Sequence, residues 1–296
     1  MPESDETTLR LIMPQWQGGN LADYHFGTEV LAWLAPPASG PVEVVPVPEP
    51  MPGERLAIED GIVARSAVLA QARAAREVIE KHRPHRIVTL GGDCLVDLAP
   101  VAYLKARYGD RLGVLWVDAR TDARTPEHTP NAHAHVLGAL LGQANPGLVA
   151  EAGTLLTPSR VMFAGLDELR PDEAEVMARL GLRKTRSADL ADTAAPILDW
   201  IRDEGIGHLA IHLDLDVFDP KAFGPQVVNK PDAPSDFRVG VPRGRMTPPQ
   251  VARLLADVAE ACDVVGLAVT EYVPWEAIET RKLLSRLPLL GNPMAR

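Results

Sequence analysis

Two apolar runs in this chain end in pairs of acids. Leu115-Trp116-Val117 leads into Asp118, with Asp122 four residues on; Leu209-Ala210-Ile211-His212-Leu213 leads into Asp214 and Asp216. Residues at i, i+2 and i+4 of an extended segment share a face, so each pair can converge at a strand end. Clustered carboxylates repel one another unless a positive charge sits between them. The usual positive charge is a hard divalent ion bound by oxygen ligands. Arg120 stands among these acids and is itself a permanent cation. A thiol follows a glycine pair at Gly91-Gly92-Asp93-Cys94, and a further acid, Glu271, ends the apolar run Val264–Thr270.

The elements that must position these groups alternate along the chain. Strands are expected at Leu9–Met13, Val42–Val47, Arg86–Leu90, 112–117, Arg160–Ala164, 208–213 and 263–270. Helices are expected at about 60–81, 97–108, 135–143, from Pro171 at the first helical position, 193–204 and 247–261. Residues 15–20 have loop composition. Alternation of this kind predicts an α/β fold with a mostly parallel sheet covered on both faces. Ligands of such sheets lie beyond the carboxyl ends of the strands, where every candidate residue falls.

A net charge of −10 argues against nucleic acid or an anionic membrane as the main partner. No apolar run reaches the roughly 20 residues of a spanning helix, and the acidic, polar first eight residues are unlike a signal peptide. Two cysteines, Cys94 and Cys262, make a disulfide framework improbable and fit a reducing cytoplasm. Prolines gather in connections such as 36–53 and 225–249, and 225–245 reads as a long active-site loop. With no repeat or linker, one domain over 1–296 is expected.

Four ordered segments carry a resemblance: Gly91-Gly92-Asp93-Cys94, Asp118-Ala119-Arg120-Thr121-Asp122, Asp214-Leu215-Asp216 with Asp219-Pro220, and Thr270-Glu271. Together with Gly165 to Glu173 they resemble the ureohydrolase superfamily of arginases, agmatinases, guanidino-acid hydrolases and formiminoglutamases, over roughly residues 9–280. The resemblance implies a three-layer arginase-type α/β fold, assembly as a homo-oligomer (trimer or hexamer), and a binuclear manganese site. It implies hydrolysis of a small guanidino or amidino substrate by hydroxide that the metal makes available near neutral pH. Carried onto this chain, the pattern makes Asp118 and Asp214 bridging ligands, with Cys94 and Asp122 completing one site and position 120 and Asp216 the other.

Two positions depart from that pattern. Cys94 stands where a histidine is typical; as a thiolate it would shift preference towards zinc or iron, and the alternative is a small buried thiol beside a tight turn. Arg120 stands at the other histidine position, and a guanidinium has no lone pair for a metal. Arg120 is expected to pair with Asp214 or Asp216 and replace the second ion, leaving one metal or none. In the alternative it turns to solvent and carboxylates alone hold that ion.

Thr125-Pro126-Glu127 aligns without a gap, which puts His135 at the proton-shuttling position; His133 and His128 remain alternatives. Catalytic roles are expected for His135, Glu271 and Asp122, with Glu271 gripping the substrate guanidinium. In the same register Arg124 and Arg170 replace groups that read the amino-acid end of arginine, and His133 completes the substrate set. Two cations there suit a substrate with a free carboxylate and no α-ammonium, such as a guanidino acid; otherwise both are solvated loop arginines. The leading expectation is a metal-dependent hydrolase of a C–N bond. The rival is a catalytically inactive member of the family that binds a ligand or partner. Single-zinc deacetylase chemistry is a remote third reading: it needs an Asp-His-Asp zinc set and none is evident, since His212, two before Asp214, would share its face only in a regular strand.

Overall fold

The computed structural model describes residues 7–231 and 241–291. Among these, the strands are β1 (Thr8–Met13), β2 (Val42–Val44), β3 (Ile58–Glu59), β4 (Ile62–Val63), β5 (Arg86–Gly91), β6 (Leu112–Val117), β7 (Val161–Ala164), β8 (Arg183–Thr185), β9 (His208–Asp214) and β10 (Asp263–Thr270). The α-helices are α1 (Asp23–Leu34), α2 (Arg65–His82), α3 (Leu98–Tyr108), α4 (Val136–Leu140), α5 (Pro146–Ala152), α6 (Pro171–Leu180), α7 (Ala195–Asp203), α8 (Pro248–Ala261) and α9 (Ile278–Leu284). Eight strands form one sheet in the order β2-β1-β5-β10-β9-β6-β7-β8, and every pairing in it is parallel.

All six residues of β6 are buried, as a strand covered on both faces requires. Alternation along it feeds two cores. Val114 and Trp116 pack with residues of α2, α3, α4 and α5, and Leu115 and Val117 pack with residues of α1, α7, α8 and α9. The result is the three-layer, mostly parallel α/β fold that the sequence pattern predicts.

Where the boundaries differ, local chemistry explains the difference. The expected helix at 60–81 starts only at Arg65, because Asp60-Gly61 turns a β3–β4 hairpin first, with φ of 50° and 77° at the two turn residues. The strand expected at Val42–Val47 stops at Val44, ahead of Pro46 and Pro48. The helix expected at 135–143 shortens to α4, preceded by a 3-10 turn over Ala132–His135.

Going from β5 to β6 the chain steps over the positions later filled by β9 and β10. This reversal of winding opens a crevice at the carboxyl ends of the four central strands, the usual ligand position in such sheets. No described helix is long and apolar enough to cross a membrane. The acidic N-terminal segment up to residue 6 and positions 232–240 of the expected active-site loop lie outside the described residues.

Candidate active site

Each of the four central strands delivers its chemical groups at its end. After β5 the backbone threads so closely past residue 15 that a Cβ on Gly92 would lie 1.7 Å from the Gln15 carbonyl oxygen. On the other side, the Gly92 carbonyl accepts the Glu271 amide at 2.6 Å. The glycine pair therefore brings the ends of β5 and β10 together. Asp93 caps the 3-10 turn Cys94–Asp97 by accepting from the Leu95 amide, and Cys94 is fully buried.

After β6 the chain does not stay extended as far as Asp122. Asp122 has φ 47°, and Glu271 after β10 has φ 61°. Both are non-glycine residues in the left-handed region, a costly conformation that concentrates at functional sites. This turn at Asp122 returns its carboxylate towards Asp118. Asp118 accepts from the Arg120 amide at 2.7 Å and from Trp116 Nε1 at 3.0 Å.

β9 is regular up to its end, pairing His212 with Trp116 of β6 and Asp214 with Thr270 of β10. His212 and Asp214 therefore share a face. Beyond Asp214 the chain enters a 3-10 turn, in which the Asp216 amide donates to Asp214 Oδ1 at 2.7 Å.

Arg120 lies at the centre of this group. Its Nη2 is 2.8 Å from Asp216 Oδ2, 3.1 Å from Asp214 Oδ2 and 2.7 Å from Glu271 Oε2. It is turned inward and does not point to solvent. Burial works against its charge, but Asp216, Glu271 and Asp214 outweigh that and hold the guanidinium firmly protonated. Glu271 is held well below the usual carboxylate range: burial pushes it up, and Arg120 and His133 more than reverse this. Asp118 and Asp214 are pushed well up, first by burial and then by neighbouring acids. One guanidinium does not neutralise five clustered carboxylates. Cys94 is likewise raised by burial and by the surrounding acids, and its thiol donates to Asp214 Oδ2 at 3.0 Å.

The histidines separate. His133 Nδ1 is 2.7 Å from Glu271 Oε1; burial disfavours its charge, and the Glu271 hydrogen bond and charge restore it, raising its pKa. His135 does not reach the acids: its Nε2 donates to the Thr129 carbonyl at 3.0 Å, and burial brings its pKa down to about 4. His128 is on the outside, beside Thr125. The 3-10 turn directs residues two apart away from each other, so His133 contacts Glu271 and His135 does not.

The arginines expected at the substrate also divide. Arg124 is engaged, with Nε 2.6 Å from Asp172 Oδ2. Arg170 is half-buried, and among the described residues its guanidinium has no ion-pair partner; burial lowers its pKa, the charges of Glu173 and Asp172 oppose this, and repulsion from Arg124 and Arg120 adds to it. Glu173 accepts from the Arg170 amide at 2.8 Å and approaches the Thr121 hydroxyl at 3.4 Å, tying α6 to the loop after β6. Tyr24, Gln226 and Arg243 join Arg120, Asp216 and Glu271 around one pocket, and none of those three was anticipated from the sequence.

Among the described residues, three groups of donor atoms are close enough to hold an ion: Cys94, Asp118, Asp122 and His212; Cys94, His133 and Glu271; and Asp118, Asp214 and Asp216. A profile of the arginase family matches residues 53–285. The chain belongs to the arginase family. The arginase of Eremothecium gossypii is 29% identical over 198 residues, covering 63% of this chain and 46% of that protein. The match thus spans about half of that curated relative's length. The crystal structure of Entamoeba histolytica arginase in complex with L-ornithine superimposes with a TM-score of 0.78 at 18% identity, covering 94% of this chain and 96% of that one. Formimidoylglutamase from Bacillus subtilis gives 0.68 at 12% identity, covering 96% and 87%. At these identities the two solved structures establish the arginase-type fold.

The binuclear site implied by the resemblance fits this arginase-family chain only in part. Cys94, Asp118 and Asp122, three of the residues implied for the first position, lie together as donors. The second position contains the Arg120 guanidinium, which cannot ligate a metal and already occupies Asp214 and Asp216.

Proposed function

We propose that this arginase-family chain hydrolyses a C–N bond of a guanidino or amidino compound that carries a carboxylate and no free ammonium group. The reading rests on one observation above the others: a buried thiol and five acids converge at the carboxyl ends of β5, β6, β9 and β10, in the family's order along the chain. A divalent ion held on the group that includes Cys94, Asp118 and Asp122 would supply the Lewis acidity that makes water nucleophilic near neutrality.

The remaining roles belong to the chain's own side chains. His133, whose pKa the Glu271 hydrogen bond and charge raise, is suited to protonating the departing nitrogen. Glu271 serves the amidine end, and a substrate must share it with Arg120. Arg170 supports the choice of an anionic substrate, since a half-buried guanidinium that Glu173 and Asp172 influence only from beyond ion-pair distance favours an anion that reaches it. Arg124 is spent on Asp172 and makes no such offer.

The test is release of ammonia or urea from a panel of guanidino acids, a formimino amino acid, arginine and agmatine, after loading with Mn2+ or Zn2+. Guanidino acids should exceed arginine in kcat/KM by at least ten-fold. Arg170→Ala should raise KM for them by roughly 10-fold or more with kcat little changed, the loss of about one charge-assisted hydrogen bond. Arginine turnover equal to theirs would refute the substrate assignment.

A second reading has its own observation. Arg120 already presents a guanidinium to Glu271 at 2.7 Å, as a substrate would. In that reading the chain is a non-catalytic binding member of the family. Absence of turnover across the panel in metal-loaded protein, with calorimetric binding of a guanidino acid retained, would favour it.

A further inference from the structure

The ligand set implied by the family resemblance takes nothing from β9 ahead of Asp214, yet this chain has His212 there. Its ring is buried and stacks on Trp116 at 3.8 Å between centroids and 11° between planes. Nδ1 lies 2.7 Å from Oδ2 of Asp97, another buried residue. With Nδ1 engaged by that carboxylate, Nε2 is the ring nitrogen left to face the acids, and the ring is fixed in orientation. Nε2 is buried, has no hydrogen-bond partner among the described residues, and lies 3.8 Å from Asp118 Oδ2. Asp122 is in the same condition, with both carboxylate oxygens buried and without a donor.

Unpartnered buried polar atoms are costly, and these point into one cluster. One donor atom from each of Cys94, Asp118, Asp122 and His212 lies within 4.8 Å of all the others. Asp214 is a poorer fourth donor than His212: its Oδ2 already receives the Cys94 thiol and Arg120, and its Oδ1 receives the Asp216 amide.

We propose that Cys94, Asp118, Asp122 and His212 form a four-donor site for a single zinc-type divalent ion, with Asp97 as the positioning residue for His212. One thiolate, one imidazole and two carboxylates form the mixed set that zinc accepts in tetrahedral geometry. Bonds of about 2.0–2.3 Å put tetrahedral donors about 3.3–3.8 Å apart, so the widest pair closes by about 1 Å from its 4.8 Å limit on binding. Binding exchanges the thiol proton of Cys94 for the ion and releases that proton to solvent. The proposal concerns the same cleft as the hydrolase reading, from which the expectation of a divalent ion comes. It is scored by metal binding alone, so a metal-bound protein without turnover would sink that reading and leave this one standing.

The experiment uses the full chain, stripped with chelator and titrated with Zn2+, with elemental analysis and zinc-edge X-ray absorption on the unmodified protein. The expected result is one ion per chain, with one sulfur at about 2.3 Å and an imidazole among the N/O donors at about 2.0 Å. Loading with Co2+ should give a thiolate-to-metal charge-transfer band that Cys94→Ser abolishes. His212→Gln should weaken Zn2+ binding by at least ~100-fold and Asp97→Asn by ~10–100-fold, the range for an outer-sphere partner. Two ions per chain, no bound ion, a first shell lacking sulfur or imidazole, or unchanged affinity in folded His212→Gln would each overturn the proposal. The absorption spectrum of the unmodified protein decides the matter even where a variant fails to fold.

Discussion

Arg120 can be removed without touching any carboxylate, which makes it the most direct probe of the site. In Arg120→Met the acids Asp214, Asp216 and Glu271 keep their positions and lose the guanidinium that each contacts at 3.1 Å or less. Removing one partner of a buried ion pair costs about 3–5 kcal/mol, because the other charge stays buried and uncompensated. At about 2 °C per kcal/mol for a chain of this size, Tm should fall by about 6–10 °C at pH 7 in chelator. The deficit should also depend on pH. Glu271 has its pKa held well below the ordinary value in the folded protein, so it contributes stability above its unfolded pKa of about 4.3 and loses it as pH falls through the folded value. Without Arg120, burial would raise that folded value, and the same group would destabilise increasingly as pH rises. The gap between the two proteins therefore widens from acid to neutral pH. Urea melts at pH 4 and pH 7 measure it, and Arg120→Lys, which keeps the charge, should recover at least ~1 kcal/mol of the loss. A deficit under ~1 kcal/mol at pH 7, or one equal at both pH values, would refute the idea that Arg120 neutralises these acids.

Two further expectations concern the scaffold. His135 is buried with a pKa brought down to about 4, so its stabilising neutral state is complete above about pH 6.5 and is lost as pH falls towards 4. The loss amounts to about 3 kcal/mol; His135→Gln should flatten the acid limb of stability, and an unchanged slope in urea melts would contradict this. Gly92→Ala would force its Cβ to 1.7 Å from the Gln15 carbonyl oxygen. It should lower Tm and impair metal binding together, because the same backbone carries both Cys94 and the Glu271 contact; a variant with wild-type Tm would show that this segment yields easily.

The sequence carries the central sheet plainly and the outer elements poorly. β6 and β10 begin and end as expected, because a strand buried on both faces is an unbroken apolar run bounded by polar residues. α1 escaped notice, and its outward face explains why: Phe26 and Trp33 are 58% and 78% exposed, which blurs the apolar stripe made by Tyr24, Leu31 and Leu34. With α1 went Tyr24, now at the pocket. β8 is an edge strand reading Arg183-Lys184-Thr185, with no apolar signal at all. Within the site, Arg120 could be placed among the acids from chemistry alone, since three buried carboxylates left unpaired would be costly. Arg124 could not be placed, because its partner Asp172 is 48 residues away in a different element. His133 and His135 could not be told apart without knowing that they lie on one tight turn.

The charge arrangement suggests how this cleft differs from a two-ion site. Each divalent ion brings two positive charges and can be lost to a chelator; a guanidinium brings one and is covalently retained. With Arg120 on the Asp216 side, the cluster keeps a permanent partial neutralisation whatever the metal supply. The remaining excess of negative charge lies on the other side, around Asp118 and Asp122, where burial already pushes both acids up. His212 faces that side with its Nε2, and Asp97 at Nδ1 prevents the ring from turning away. A single ion there would ionise the acids it binds and leave the Arg120 pairs undisturbed. The two halves of the cleft should therefore respond independently: Arg120→Met should change stability in chelator while leaving the first Zn2+ equivalent in place. If Zn2+ affinity instead fell in parallel with stability in that variant, the two halves would be one electrostatic unit, and the division of labour between arginine and ion would be wrong.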